Sequence, residues 1–122
     1  MSMESCEVFL RALRKKLAAA TTEAEPLVEQ DRFDEAERLV RAVEDDIYGS
    51  MALGNMFTNA LKRSVQSPHP DRARVRALYD RALRWRSAWP GVHTQSEADA
   101  ERAHAEEVRK ELTAILELLP EA

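Results

Sequence analysis

Glycine, proline, cysteine and aromatic side chains are all scarce in this chain. Three Gly and five Pro in 122 residues supply few of the turns a β-rich fold requires, and aromatics make up only 6%. With Val, Ile and Thr also sparse, continuous helices are favoured over strands. The single Cys6 has no partner for an internal disulfide, so nothing marks an oxidising compartment. Long apolar runs are missing too. Arg11, Arg14, Lys15 and Lys16 interrupt Val8, Phe9, Leu10, Leu13 and Leu17, and Glu4 and Glu7 argue against a transit peptide. The expectation is a cytoplasmic protein that does not enter a membrane.

The composition, 44% apolar and 33% charged, argues against disorder and suits a packed helical domain. A chain of this length buries roughly two-thirds of its unfolded surface, so its core does not depend on a metal or disulfide. Neither an internal repeat nor a low-complexity stretch is present. The net charge of −4 hides a segregation. Between Thr21 and Asp46 ten acids face three bases, a local −7; between Lys62 and Arg86 eight bases face two acids, a local +6.

Apolar spacing sets the expected elements. Cys6, Leu10, Leu13, Leu17, Ala20, Ala24 and Leu27 step alternately by four and three, which predicts a helix over residues 5–29. Pro26 either kinks it or marks a restart capped by Thr22 with Glu25; the unbroken register favours the kink. Asp31 is the expected N-cap of a second helix, with Asp34 and Glu35 in its first turn. From Phe33 through Val40, Val43, Ile47, Met51, Gly54, Phe57 and Leu61 to Val65 the stripe is continuous. Read literally it is one helix of about 33 residues, long for a globular domain, with Gly49-Ser50 or Gly54 as places for a break. Ser67-Pro68-His69-Pro70 is a loop, and Pro70 opens a third helix bearing Val75, Leu78, Ala82, Trp85 and Trp89, which ends at Trp89-Pro90-Gly91. Thr94 and Glu97 form a capping box for a last helix striped by Ala98, Ala105, Val108, Leu112, Ile115 and Leu119. The fold expected is all-α: one domain over residues 4–119, an antiparallel bundle of about four helices, or five if the second breaks near Gly49.

Few residues point to chemistry. Glu101 and His104 have the Glu-x-x-His spacing of carboxylate-bridged metal bundles, but a second copy is missing, so a solvated pair beside the stripe is the simpler reading and no metal is assigned. Cys6 shares a face with Leu10 and Leu13, as a small buried hydrophobe would. The third helix is arginine-rich, with Arg74, Arg81 and Arg84 on one side and Arg72, Arg76 and Arg86 on another. Arginine suits phosphate contact, which makes Arg72, Arg74, Arg76, Arg81 and Arg84 the nucleic-acid-binding candidates. The competing expectation is that the acidic first half of the second helix lies against them. Trp85 and Trp89 read as core residues or as anchors for a partner.

The order of these features resembles the HEPN family of small helical bundles, over about the whole chain. The resemblance rests on the hairpin Leu27-Val28-Glu29-Gln30-Asp31-Arg32-Phe33-Asp34-Glu35-Ala36, on His69 in the central loop, on Trp89-Pro90-Gly91 and on the capped final helix. The Phe-Asp-Glu-Ala turn also looks like a tetratricopeptide hairpin, without a second copy. Resemblance to HEPN proteins implies a dimer, often in toxin–antitoxin or RNA-related systems, whose active members cut RNA with an Arg followed after four to six residues by His. Arg86 and His93 fit that gap, as do Arg63 and His69; both pairs lack the polar residues usual inside the active motif, so no catalytic assignment follows.

The reading that emerges is a non-enzymatic intracellular helical module, without cofactor or metal, acting by protein–protein association or as a homodimer. The alternative is a HEPN-like RNA-binding protein or RNase, with Arg86 and His93 as the runner-up catalytic pair. A deep pocket holding His69 or His93 with Arg and acids would favour that alternative.

Overall fold

The structure, a computed structural model, describes residues 3–89 and 94–120. Every regular element among them is an α-helix: α1 (Met3–Glu29), α2 (Phe33–Arg41), α3 (Ile47–Val65), α4 (Arg72–Arg86) and α5 (Gln95–Leu116).

α1 runs unbroken through Pro26. Thr22 does not cap a restart; its hydroxyl bonds back to the Ala18 carbonyl at 3.0 Å, as Thr21 does to Leu17 at 2.8 Å. The helix ends in a Schellman motif, with Arg32 N–H donating to the Leu27 carbonyl at 2.8 Å and Asp31 N–H to that of Val28 at 3.0 Å. Asp31 fills the left-handed position that usually takes glycine, at φ 61°. Asp31 therefore closes α1 rather than capping α2. Arg32 precedes α2 with no side-chain cap and pairs with Glu35 instead.

The continuous stripe expected from Phe33 to Val65 is two helices. The chain leaves helical geometry after Arg41, a few residues before Gly49, and resumes at Ile47. Glu44 folds over the start of α3, its carboxylate accepting from the backbone N–H of Asp46 and, at 3.1 Å, of Gly49. An anion on the free N–H groups of a helix start is favourable. The fit requires glycine, because a Cβ on Gly49 would lie 1.8 Å from the Glu44 carbonyl oxygen. Asp71 caps α4, which begins at Arg72 rather than Pro70 and ends at Arg86 rather than Trp89. Thr94 caps α5 as expected: its Oγ1 accepts from Glu97 N–H at 3.1 Å and donates to the Glu97 carboxylate at 3.2 Å.

Side-chain bonds fix the helix directions. Arg74 reaches Ser64 while Gly54 lies against Arg86, so α4 runs opposite to α3. Arg72 bonds the Pro120 carbonyl and His104 the Arg86 carbonyl, so α5 runs opposite to α4. Residues 17–25 of α1 share a surface groove with residues 52–63 of α3, and Arg63 reaches Glu29, so these two helices run together. The starts of α1, α3 and α5 therefore share one end with the close of α4. Leu53, Phe57, Leu61, Leu78 and Leu112 are wholly buried at the centre, each burial stabilising by about 1.5–3 kcal/mol. Phe33 packs edge-on against Phe57, ring centres 5.9 Å apart. No helix among the described residues is long and apolar enough to cross a membrane.

Candidate interaction surface

Three of the α4 arginines turn inward and tie the helices together. Arg74 reaches Asp31 at 2.6 Å, the Val28 carbonyl at 3.0 Å and the Ser64 hydroxyl, locking the end of α1 onto α3 and α4. Arg81 bridges Asp34 at 2.8 Å and the buried Glu37 at 2.6 Å; Glu37 also accepts from the Trp85 indole at 2.9 Å. Burial works against the Arg81 charge, but bonds to Glu37 and Asp34 outweigh it and raise the pKa; in return the Arg81 hydrogen bond holds Asp34 below the usual carboxylate range. Arg86 packs on Gly54, bonds Thr58 at 3.2 Å and grips Glu111 through both nitrogens at 3.2 and 2.6 Å, lowering the Glu111 pKa through that hydrogen bond. The acidic and basic segments thus meet inside the molecule, at Arg74 with Asp31 and at Arg81 with Asp34 and Glu37.

Of the five nucleic-acid candidates, only Arg72, Arg76 and Arg84 remain exposed. They are not a free array: Arg72 holds the Pro120 carbonyl, Arg76 pairs with Asp80 at 3.4 Å, and Arg84 stacks 5.0 Å from the Trp85 ring centre. Arg86 is committed to Thr58 and Glu111, and its runner-up partner His93 lies outside the described residues. His104 bonds the Arg86 carbonyl at 2.8 Å and lies 5.2 Å from Trp89, whereas the Glu101 side chain makes no bond to it.

Exposed apolar side chains gather at one end. Among the described residues seven large hydrophobics are exposed, and six of them, Val8, Phe9, Ile47, Tyr48, Met51 and Trp89, lie at the starts of α1 and α3 and just after α4. Ile47, Met51 and Trp89 line a hollow of about 340 Å³ with Trp85 and His104. Among the described side chains of α1, from Ser5 onward, Leu17 is the first that is buried; Leu13 packs partly on the core, and residues 5–12 stand clear of it on much of their surface, with Phe9 66% exposed. Cys6 is exposed and not part of the core. The cause is a length mismatch: at about 1.5 Å per residue α1 spans about 40 Å and α2 about 14 Å, too short to cover it.

The opposite end carries a polar trough of about 810 Å³ between the end of α1, the end of α3 and the start of α4. Arg63 and His69 both line it, with Glu25, Glu29, Asp71 and Arg74. It is open to solvent: His69, Arg63 and the three acids are exposed, Arg63 is paired with Glu29 at 3.2 Å, and Arg74 is already engaged. It lacks the depth that excludes water from a reacting group.

The apolar end was hidden in the sequence because Cys6, Ile47 and Met51 fit the same stripes as the core. The available signal was the three-four spacing of α1 continuing upstream of Leu17, on a helix that outruns its neighbour. The geometry defines an all-helical protein with its unpaired apolar surface at one end. The chain matches no protein-family model, no curated protein and no solved structure.

Proposed function

We propose that this chain is a non-enzymatic intracellular module whose function is protein–protein association and in the first place self-association. One observation carries the reading: among the described residues six of seven exposed large hydrophobics lie toward one end, where the start of α1 outruns the short α2. Apolar surface concentrated in this way marks an interaction site far more often than apolar residues scattered singly. The inward arginines support it too, since Arg74, Arg81 and Arg86 are used to hold the helices rather than to meet a ligand. The test is the mass of the full chain in solution over rising concentration. Reversible dimer formation supports the reading, and a monomer at high micromolar concentration removes self-association from it.

A second reading, RNA binding of the HEPN-like kind, is favoured by the shared placement of Arg63 and His69 along the polar trough. Titration with short RNA at several salt concentrations separates the two readings. Salt-dependent affinity that weakens in Arg63→Ala supports the second, and its absence eliminates it.

A further inference from the structure

Within the proposed self-association, on which this inference rests, the exposed start of α1 carries a more specific instruction. Cys6, Leu10 and Leu13 continue, upstream of the core, the seam that Leu17, Ala20 and Ala24 bury inside the molecule. Steps of four and three average 3.5 residues, the repeat that keeps one apolar seam facing a partner helix along its length. Downstream of Lys16 that partner is the rest of the chain. Upstream, Leu13 still packs partly on the edge of the core, Leu10 is half-buried, and Cys6 and Phe9 are exposed, so the seam outlasts its own partner. A helix carrying the same seam is the natural complement.

Charge decides the direction in which a second copy lies. Glu7 and Arg14 are seven residues apart, hence on the same flank of the seam, both exposed and neither in an ion pair with the described residues. Lys16 lies on the other flank, beside Phe9. When two identical helices pair about a two-fold axis across them, like flanks meet, so Glu7 of each copy comes opposite Arg14 of the other. In parallel pairing opposite flanks meet instead, each second-flank residue lying near the first-flank residue five further on, which sets Arg14 of each copy toward Phe9 of the other and leaves Glu7 without a cation in register.

We infer that a second copy of this chain docks antiparallel along residues 6–14 of α1, Leu10 of each copy packing against Leu13 of the other and Glu7 pairing with Arg14 across the seam. Nine residues, little more than one heptad, make a small interface, so the dimer belongs to the weak, reversible class. Phe9, on the second flank, extends the buried apolar surface. Cys6 of one copy lies about eleven residues along the axis from Cys6 of the other, about 16 Å away, too far to form a disulfide between copies.

The test is a charge swap read by sedimentation equilibrium of the full chain, with far-UV circular dichroism as the check on folding. Glu7→Arg alone and Arg14→Glu alone each place like charges across the seam twice per dimer, and each is expected to weaken dimerisation about tenfold. Glu7→Arg combined with Arg14→Glu restores the pairing and is expected to return the dissociation constant to within about twofold of wild type. Mild oxidation of the wild-type dimer is expected to leave Cys6 uncrosslinked. A dimer insensitive to both single changes, or one not rescued by the double, or one readily crosslinked through Cys6, overturns the antiparallel seam while leaving self-association standing. A wild-type chain that stays monomeric overturns both.

Discussion

Replacing Gly49 with alanine sets two opposing effects against each other, and the structure decides the sign. Alanine is the better helix former by about 1 kcal/mol, so on propensity alone Gly49→Ala would stabilise α3. The added Cβ, however, would sit 1.8 Å from the backbone oxygen of Glu44, where contact requires about 3.5 Å, so the segment must retreat by well over 1 Å. Backbone cannot give way as a flexible side chain can. The retreat withdraws the Glu44 carboxylate from the N–H groups of Asp46 and Gly49. Losing a cap costs about 1 kcal/mol and overpacking about 1–3 kcal/mol, so the net expectation is destabilisation by about 1–3 kcal/mol. In thermal unfolding that is a fall of roughly 5–10 °C in Tm. Glu44→Ala removes the cap without the clash and should cost about 1 kcal/mol. A Gly49→Ala protein as stable as wild type, or more so, would refute the account of why the α2–α3 stripe breaks where it does.

Two further perturbations probe the inward arginines. Glu37→Ala leaves the Arg81 guanidinium with only Asp34 and the Trp85 indole without its acceptor; urea unfolding should show a loss of about 1–3 kcal/mol, and no loss would contradict the assigned role. The Arg86 contact lowers the Glu111 pKa, so the folded state releases that proton more readily than the unfolded one. Its stabilisation is complete above the unfolded glutamate pKa of about 4.3 and is lost as pH falls through the lower folded value. Glu111→Gln should therefore be less stable than wild type at neutral pH and flatten the loss of stability below pH ~4.3; equal acid sensitivity in both proteins would disprove the contact.

Much of the helical layout is legible residue by residue. Thr94 caps α5 as its spacing to Glu97 promises because an N-cap depends on a few neighbouring residues alone. The α1 stripe reads correctly through Pro26, since the apolar register outweighs one missing donor. The break in the second stripe is not legible from apolar spacing: Val40, Val43 and Ile47 keep helical spacing across it, and the feature that marks it is the fold-back of Glu44 onto Gly49, made by polar and backbone groups that the stripe does not register. Asp31 misleads for a different reason. Aspartate serves equally as an N-cap and as a left-handed residue, and here the carbonyls of Leu27 and Val28 take the neighbouring N–H groups first. The opposed charges of the two segments are plain in the sequence. Which arginines pair depends on the register between α2 and α4, which no local pattern encodes. The exposed end is hidden for a related reason, because Cys6, Ile47 and Met51 belong to stripes that also build the core, and spacing alone does not show where a partner helix ends.

The most direct test of the central claim is the mass of the full chain beside that of Phe9→Glu, whose wild-type side chain is 66% exposed and adds nothing to the core. Sedimentation equilibrium should find a concentration-dependent dimer for the wild type and a folded monomer for the variant. A wild type that remains monomeric at high micromolar concentration, or a Phe9→Glu chain that dimerises as tightly as wild type, would contradict association through the α1 end.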